Sequence, residues 1–231
     1  MKTKITFIAA IILLSFSCKG TPEGIPSGTW KYNLIVNGVI AGTANITNEK
    51  SDGVYTIKSE MLLTVGTIEN RSVQIIRETD GFRPVSLEVL NTVKDSRTGR
   101  VQEINKTATF SGNKVLLKSG DYKSEFTIDE PFILDGNYFF TELLKNGFKK
   151  GTVVKASIYE PTVELEEPIL VIVEMAGYEN IDVNGKTKNL IHIKQKVEKL
   201  KSMDVYLNES GVTEKVVIKM LNNIFELVMV D

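Results

Sequence analysis

The stretch Trp30-Lys31-Tyr32-Asn33-Leu34-Ile35-Val36-Asn37-Gly38-Val39-Ile40 decides the fold. Trp30, Tyr32, Leu34 and Val36 alternate with Lys31, Asn33 and Ile35, the period of two that gives a strand one apolar face. Asn37-Gly38 follows at once. Both residues tolerate positive φ, which the two-residue turn matching the twist of paired strands requires. A return strand from about Val39 to Ile46 completes a hairpin. The same grammar repeats outward. Ser51-Asp52-Gly53 turns the chain, and Tyr55, Ile57 and Met61 alternate towards Val65. Val73, Ile75 and Ile76 mark the next strand, which ends at Asp80-Gly81. Val85, Leu87 and Val89 alternate after Pro84, a proline placed at a strand entrance where no ladder donor is lost. Turns at Asp95 to Gly99 and Ser111-Gly112-Asn113 bound short strands around Ile104, Val115 to Leu117 and Tyr122 to Ile128.

One segment breaks the rhythm. Tyr138, Phe139, Phe140, Leu143 and Leu144 are spaced as on a helix face, with Asp135 as its cap and Gly147 as its stop. A helix of about three turns needs tertiary packing to persist. The helix from Gly136 to Lys145 is therefore expected to rest on the sheet or close an apolar cavity. Strands resume at Thr152 to Tyr159, and Ile169 to Val173 is a continuous apolar run, expected to be covered on both faces at the centre of the core. Ile181 to Val183, Asn184-Gly185 and Leu190 to Val197 read as another hairpin. Met203 to Leu207, Val212 to Met220 and Ile224 to Val230 complete the series. The predicted fold class is mainly β: an antiparallel curved sheet, barrel or sandwich with one short aromatic-rich helix.

The amino terminus carries an address. Lys2 and Lys4 precede the apolar run Ile5 to Leu14, and Ser15-Phe16-Ser17 leads into Cys18, the one cysteine of the chain. That is the layout of a secretory signal, and the run is too short for a bilayer core, which needs about 20 residues. Leu14-Ser15-Phe16-Ser17-Cys18 resembles the lipobox read by lipoprotein signal peptidase. The expected organisation is a signal peptide over 1–17, a flexible tether over 18–28 from a lipidated Cys18, and one β-rich domain over 29–231. The tether composition, rich in Gly, Pro and small polar residues, supports this division. Two or more acyl chains on Cys18 would hold the protein stably on a membrane.

Composition narrows the function classes. The chain has 231 residues, 42% hydrophobic and 25% charged, with a net charge of −1. These values exclude a disordered polyelectrolyte, a disulfide scaffold and a protein with many membrane helices. The absence of basic excess argues against a nucleic-acid partner.

Three groups of residues then point to a family. Tyr32, Asn37-Gly38 and Gly42 form the first. The second is Gly177-Tyr178-Glu179-Asn180-Ile181-Asp182-Val183-Asn184-Gly185. The third runs from Val205-Tyr206-Leu207 through Ser210-Gly211 to Lys215. Together they resemble bacterial envelope domains of unknown function, which occur alone as exported proteins or ahead of transglutaminase-like domains. The strand tryptophan usual there is Tyr206 here. The resemblance implies a β-rich architecture and transfers no catalytic residue.

Constellations for chemistry are sparse. His192 is the single histidine and sits in an alternating strand beside Lys194 and Lys196, without the Gly-x-Ser-x-Gly elbow of a hydrolase. Glu164, Glu166 and Glu167 lie between Pro161 and Pro168, where solvated surface outweighs a glycosidase pair. Asp182-Val183-Asn184-Gly185 imitates the start of a calcium loop without its later ligands. Lys186, Lys188, Lys194, Lys196, Lys199 and Lys201 form one basic stretch, suited to a charged strand or to anionic headgroups. No catalytic residue, metal ligand or cofactor is implied.

The expected function is that of a non-enzymatic envelope lipoprotein, anchored at the outer membrane and facing the periplasm. Its domain would bind an apolar ligand or an envelope protein, with Tyr138, Phe139 and Phe140 as candidate ligand residues. The alternatives are a structural subunit of an envelope complex and, behind it, a hydrolase with an unrecognised site. Cys18→Ser should abolish membrane retention; a variant that stays in the membrane fraction after a salt wash refutes anchoring at that residue.

Overall fold

The structure is a computed structural model that describes residues 25–198, 201–220 and 223–230. The signal segment, Cys18, the tether up to residue 24 and Lys199 lie outside the described residues.

The described chain forms one continuous curved sheet. Its strands are β1 (Gly28–Val36), β2 (Val39–Ser51), β3 (Val54–Val65), β4 (Ile68–Thr79), β5 (Pro84–Asp95), β6 (Arg100–Ser111), β7 (Lys114–Ser119), β8 (Tyr122–Thr127) and β9 (Phe132–Ile133). After helix α1 (Asn137–Lys145) come β10 (Val153–Ile158), β11 (Ile169–Val183), β12 (Lys186–Val197), β13 (Lys201–Leu207), β14 (Thr213–Met220) and β15 (Asn223–Met229). The sheet runs from β8 in descending order to β1, then β15, then in descending order to β9. Neighbours pair antiparallel, except that β9 and β10 are parallel across the helical connection. This is the antiparallel curved, barrel-like sheet expected from the sequence, with β8 and β9 as its two ends.

Local chemistry explains the hairpins. Asn37 and Gly38 have φ of 51° and 81°, the conformation their turn requires. The Asn37 side chain also bonds to Asn223 and to the Ile224 N–H, locking two hairpin tips together. Gly42 answers a different need. A Cβ there would lie 1.9 Å from the Leu62 carbonyl oxygen, so β2 and β3 approach too closely for a side chain.

The concave face holds the core. Tyr32, Leu34, Ala44, Ile46, Met61 and Leu63 face it from the first strands, and Val171, Val173, Met175, Ile193 and Val205 from the later ones. Helix α1 packs against this wall with Phe139 and Phe140 only 0% and 2% exposed. Its cap departs slightly from the sequence reading. Gly136 is the N-cap residue, and Asp135, one step earlier, accepts the Asn137 N–H at 2.7 Å. At the far end Gly147 N–H bonds to Leu144 O and Phe148 N–H to Leu143 O, the paired arrangement that ends a helix on a left-handed glycine.

Two strand expectations change. Ile169 to Val173 and Ile181 to Val183 belong to one long strand, β11, which passes through a bulge between Met175 and Gly177. The apolar run is fully buried on its inner face alone; Leu170 and Ile172 are half-buried outside. A one-layer sheet offers no second layer there, and Ile172 has Lys155 and Lys196 as cross-strand neighbours, whose methylene stems suit an apolar neighbour.

A second core closes the structure. β8 and β9 terminate the sheet and are not paired with each other. Side chains bridge the gap instead. The Tyr159 ring meets Phe110 at 5.7 Å, Phe132 at 6.0 Å and Phe126 at 6.2 Å, and Phe110 meets Phe132 at 5.6 Å. Residues after Tyr159 form a strap. The Lys106 ammonium donates to Pro161 O, Gln74 donates to Glu160 at 2.8 Å, and Tyr122 and Ser124 donate to Glu166.

Truncating Phe140→Ala should cost about 3–5 kcal/mol, as for buried aromatic rings generally. Denaturant unfolding checks this, and a loss below about 1 kcal/mol would show that the ring is not core.

Candidate functional site

The turn joining β4 to β5, the turn joining β6 to β7 and the segment from Ile128 to Ile133 meet at one end of the barrel. Between them lies an open groove of about 650 Å³, within the range of about 300–1,000 Å³ typical of small-molecule sites. Phe82, Phe132 and Tyr138 supply aromatic wall, Pro84 and Pro131 rigid wall, and Arg83, Asp129 and Glu130 the charges.

Backbone geometry fixes the turn beside the groove. The Phe82 N–H bonds to Thr79 O, the Thr79 N–H to Arg83 O, and the Arg83 N–H to the Thr79 hydroxyl. Phe82 is held at φ 59°, a left-handed conformation that costs a residue with a Cβ roughly 1–2 kcal/mol. Its ring stands edge-on to Tyr138 at 5.6 Å, and Tyr138 stands edge-on to Phe139 at 5.7 Å. The groove wall is thus continuous with the core. Of the three aromatic residues singled out in the sequence, Tyr138 lines the groove, while Phe139 and Phe140 pack inward.

Two carboxyl groups are buried close to the groove. Glu78 and Asp135 are 1% and 2% exposed. Glu78 accepts the Leu134 N–H, which fixes the chain as it enters α1. Burial, reinforced by the neighbouring Asp135 charge, raises the Glu78 carboxyl well above the ordinary carboxylate range, against the pull of the Leu134 and Asp135 N–H groups. Beside them Asn137 is buried with neither side-chain polar atom paired among the described residues. Glu160, in the strap, is also raised by burial. The Thr162 hydroxyl and N–H, the Gln74 amide and the Lys106 charge oppose that rise.

The other candidates fall elsewhere. His192 lies on the outer face between two carboxylates, Nδ1 3.0 Å from Glu179 and Nε2 2.8 Å from Asp204, stacked on Tyr206 at 4.7 Å. Both ring nitrogens are engaged, so neither is placed to take a proton from a nucleophile. Glu166 ties the strap to β8, and Glu167 is exposed. Asp182 accepts the Gly185 N–H in a tight turn, and no metal-binding cluster occurs among the described residues. In the basic stretch, Lys188 pairs with Glu214 at 2.8 Å, while Lys194 and Lys196 are exposed.

No protein-family model and no curated protein matches this sequence. Among solved structures the fold is similar to a crystal structure from Brucella abortus, described as a beta-barrel-like protein of the domain of unknown function DUF1849. The TM-score is 0.62 at 10% identity, over 88% of this chain and 95% of that one. The likeness establishes a barrel-like β architecture.

The raised Glu78 sets a sign for pH dependence. Folding favours its protonated form, so this stability is complete below the ordinary carboxylate range and is lost as pH rises through the folded value. Glu78→Gln should flatten that decline and raise relative stability at alkaline pH. Melting temperatures measured from mildly acidic to alkaline pH check it; an unchanged slope would remove Glu78 as its source.

Proposed function

We propose that this chain is a lipid-anchored protein of the bacterial envelope whose barrel-like domain is a non-enzymatic binding module, with the end groove as its binding site. The observation that carries the reading is the aromatic groove of about 650 Å³ walled by Phe82, Phe132 and Tyr138, with a strained Phe82 at its rim. Strain at a non-glycine residue persists where surrounding structure imposes it, commonly at ligand clamps. The occupied His192 nitrogens and the tying of Glu166 to Tyr122 and Ser124 favour binding over hydrolysis. Anchoring through Cys18 and an outer-membrane, periplasm-facing location complete the proposal.

A second reading has its own observation. At the opposite end, Val39 and Ile40 are 68% and 63% exposed, and Ile224 on the locked neighbouring tip is also exposed. Contiguous exposed apolar residues of this kind suit a protein partner, so an envelope protein could dock there.

One experiment addresses both. A photo-crosslinking amino acid is placed at Phe82, at Ile40 or at exposed Leu116, in cells carrying the full chain. A small-molecule adduct at Phe82 and none at Leu116 is expected. A silent Phe82 position overturns the groove reading, and a protein-sized adduct confined to Ile40 puts the partner reading in its place.

A further inference from the structure

The groove carries an unusual charge set. Arg83, Asp129 and Glu130 are exposed on its lining, and none forms an ion pair within the described residues. One cation and two anions thus share a rim with three aromatic rings. A purely apolar ligand would leave these charges unused. A simple anion would be repelled by two carboxylates. The complement is a zwitterion with an apolar body: its anionic group on the Arg83 guanidinium, its cationic group on the carboxylates, and its apolar part against Phe82, Phe132 and Tyr138.

The start of the described chain places the groove relative to a membrane. Ile25 packs in the second core beside Tyr55 and Ile57, and Asn48 donates to Pro26 O at 2.8 Å. The β2–β3 turn nearby is joined to the groove's turn by the Asp80 N–H on Gly53 O at 2.8 Å. The tether therefore leaves from the groove's end of the barrel. Seven residues, Cys18 to Gly24, extend at most about 25 Å. A lipid on Cys18 would hold Ile25, at the groove's end of the barrel, within that distance of the bilayer.

We propose that the groove takes the headgroup of a zwitterionic phospholipid bearing a primary ammonium, from the membrane that anchors the chain. The phosphate meets Arg83. The ammonium, with hydrogens to donate, meets Asp129 and Glu130. The glycerol and upper acyl carbons lie on the aromatic walls. This assignment rests on the groove being the binding site and on the Cys18 anchor.

The test uses the full lipidated chain in nanodiscs containing photoreactive phosphatidylethanolamine or, at equal mole fraction, photoreactive phosphatidylglycerol. Phosphatidylethanolamine should label peptides covering 81–84 and 128–138 at least tenfold more than phosphatidylglycerol does. Arg83→Glu should cut that labelling tenfold or more. Asp129→Lys with Glu130→Lys should reverse the preference towards phosphatidylglycerol. All three residues are exposed, and circular dichroism confirms that each variant is folded. Equal labelling by both lipids, or labelling unmoved by these variants, overturns the proposal. A non-lipid adduct at Phe82 in cells overturns the lipid assignment alone, whereas no adduct at Phe82 also removes the groove reading.

Discussion

A sheet of fifteen described strands in one order has two ends, and each end is a row of unpaired backbone groups. Full closure by hydrogen bonding would remove them, but β8 and β9 do not pair. Closure rests instead on side chains, above all on one aromatic contact set, Tyr159 among Phe110, Phe126 and Phe132, with the strap's hydrogen bonds beside it. Aromatic rings bury large area and interlock at fixed angles, so they hold two edges together without a ladder. The placement of α1, the strap and the groove all follow from how this seam is made.

The buried carboxyls belong to the same solution. A strap without strand pairing has no ladder to fix its position, and apolar contacts alone would let it slide. Glu160 supplies direction by gathering Gln74 and Thr162 around one carboxyl. Glu78 does the same for the entry to α1 through the Leu134 N–H. Burying such groups is costly, and their raised protonation in the fold reflects that cost. The groove lies where the seam opens at one end, between two hairpin turns and the segment that the seam cannot pair.

Much of the architecture was readable in local sequence. Alternation from Trp30 to Val36 and the Asn37-Gly38 turn are short-range signals, and the structure keeps both. The aromatic helix was readable because its spacing breaks the period of two. Barrel-like closure was not, because Tyr159 and Phe110 are brought together only by the whole sheet's curvature. The single length of β11 was hidden by Gly177, which looks like a break and is a bulge. The groove was invisible for a related reason. Asp80-Gly81 and Pro84 read as turn punctuation, and nothing local says that Phe82 and Arg83 between them face Phe132 and Tyr138. Nothing local marks Glu78 or Glu160 as buried, because burial is a property of their distant neighbours.

Strand order also sets a sequence of events in folding. Each pairing joins neighbours along the chain except that of β1 with β15, where Tyr32 lies opposite Met229. Hairpins between chain neighbours close small loops and form early, whereas joining the two ends of the domain closes nearly all of it. A chain made from its amino end presents β1 first and its partner strand last. The outer edge of β1 therefore stays open until β15 has been made, a template that any extended segment can join. A chaperone that covers that edge until β15 arrives would protect the domain at its most vulnerable moment.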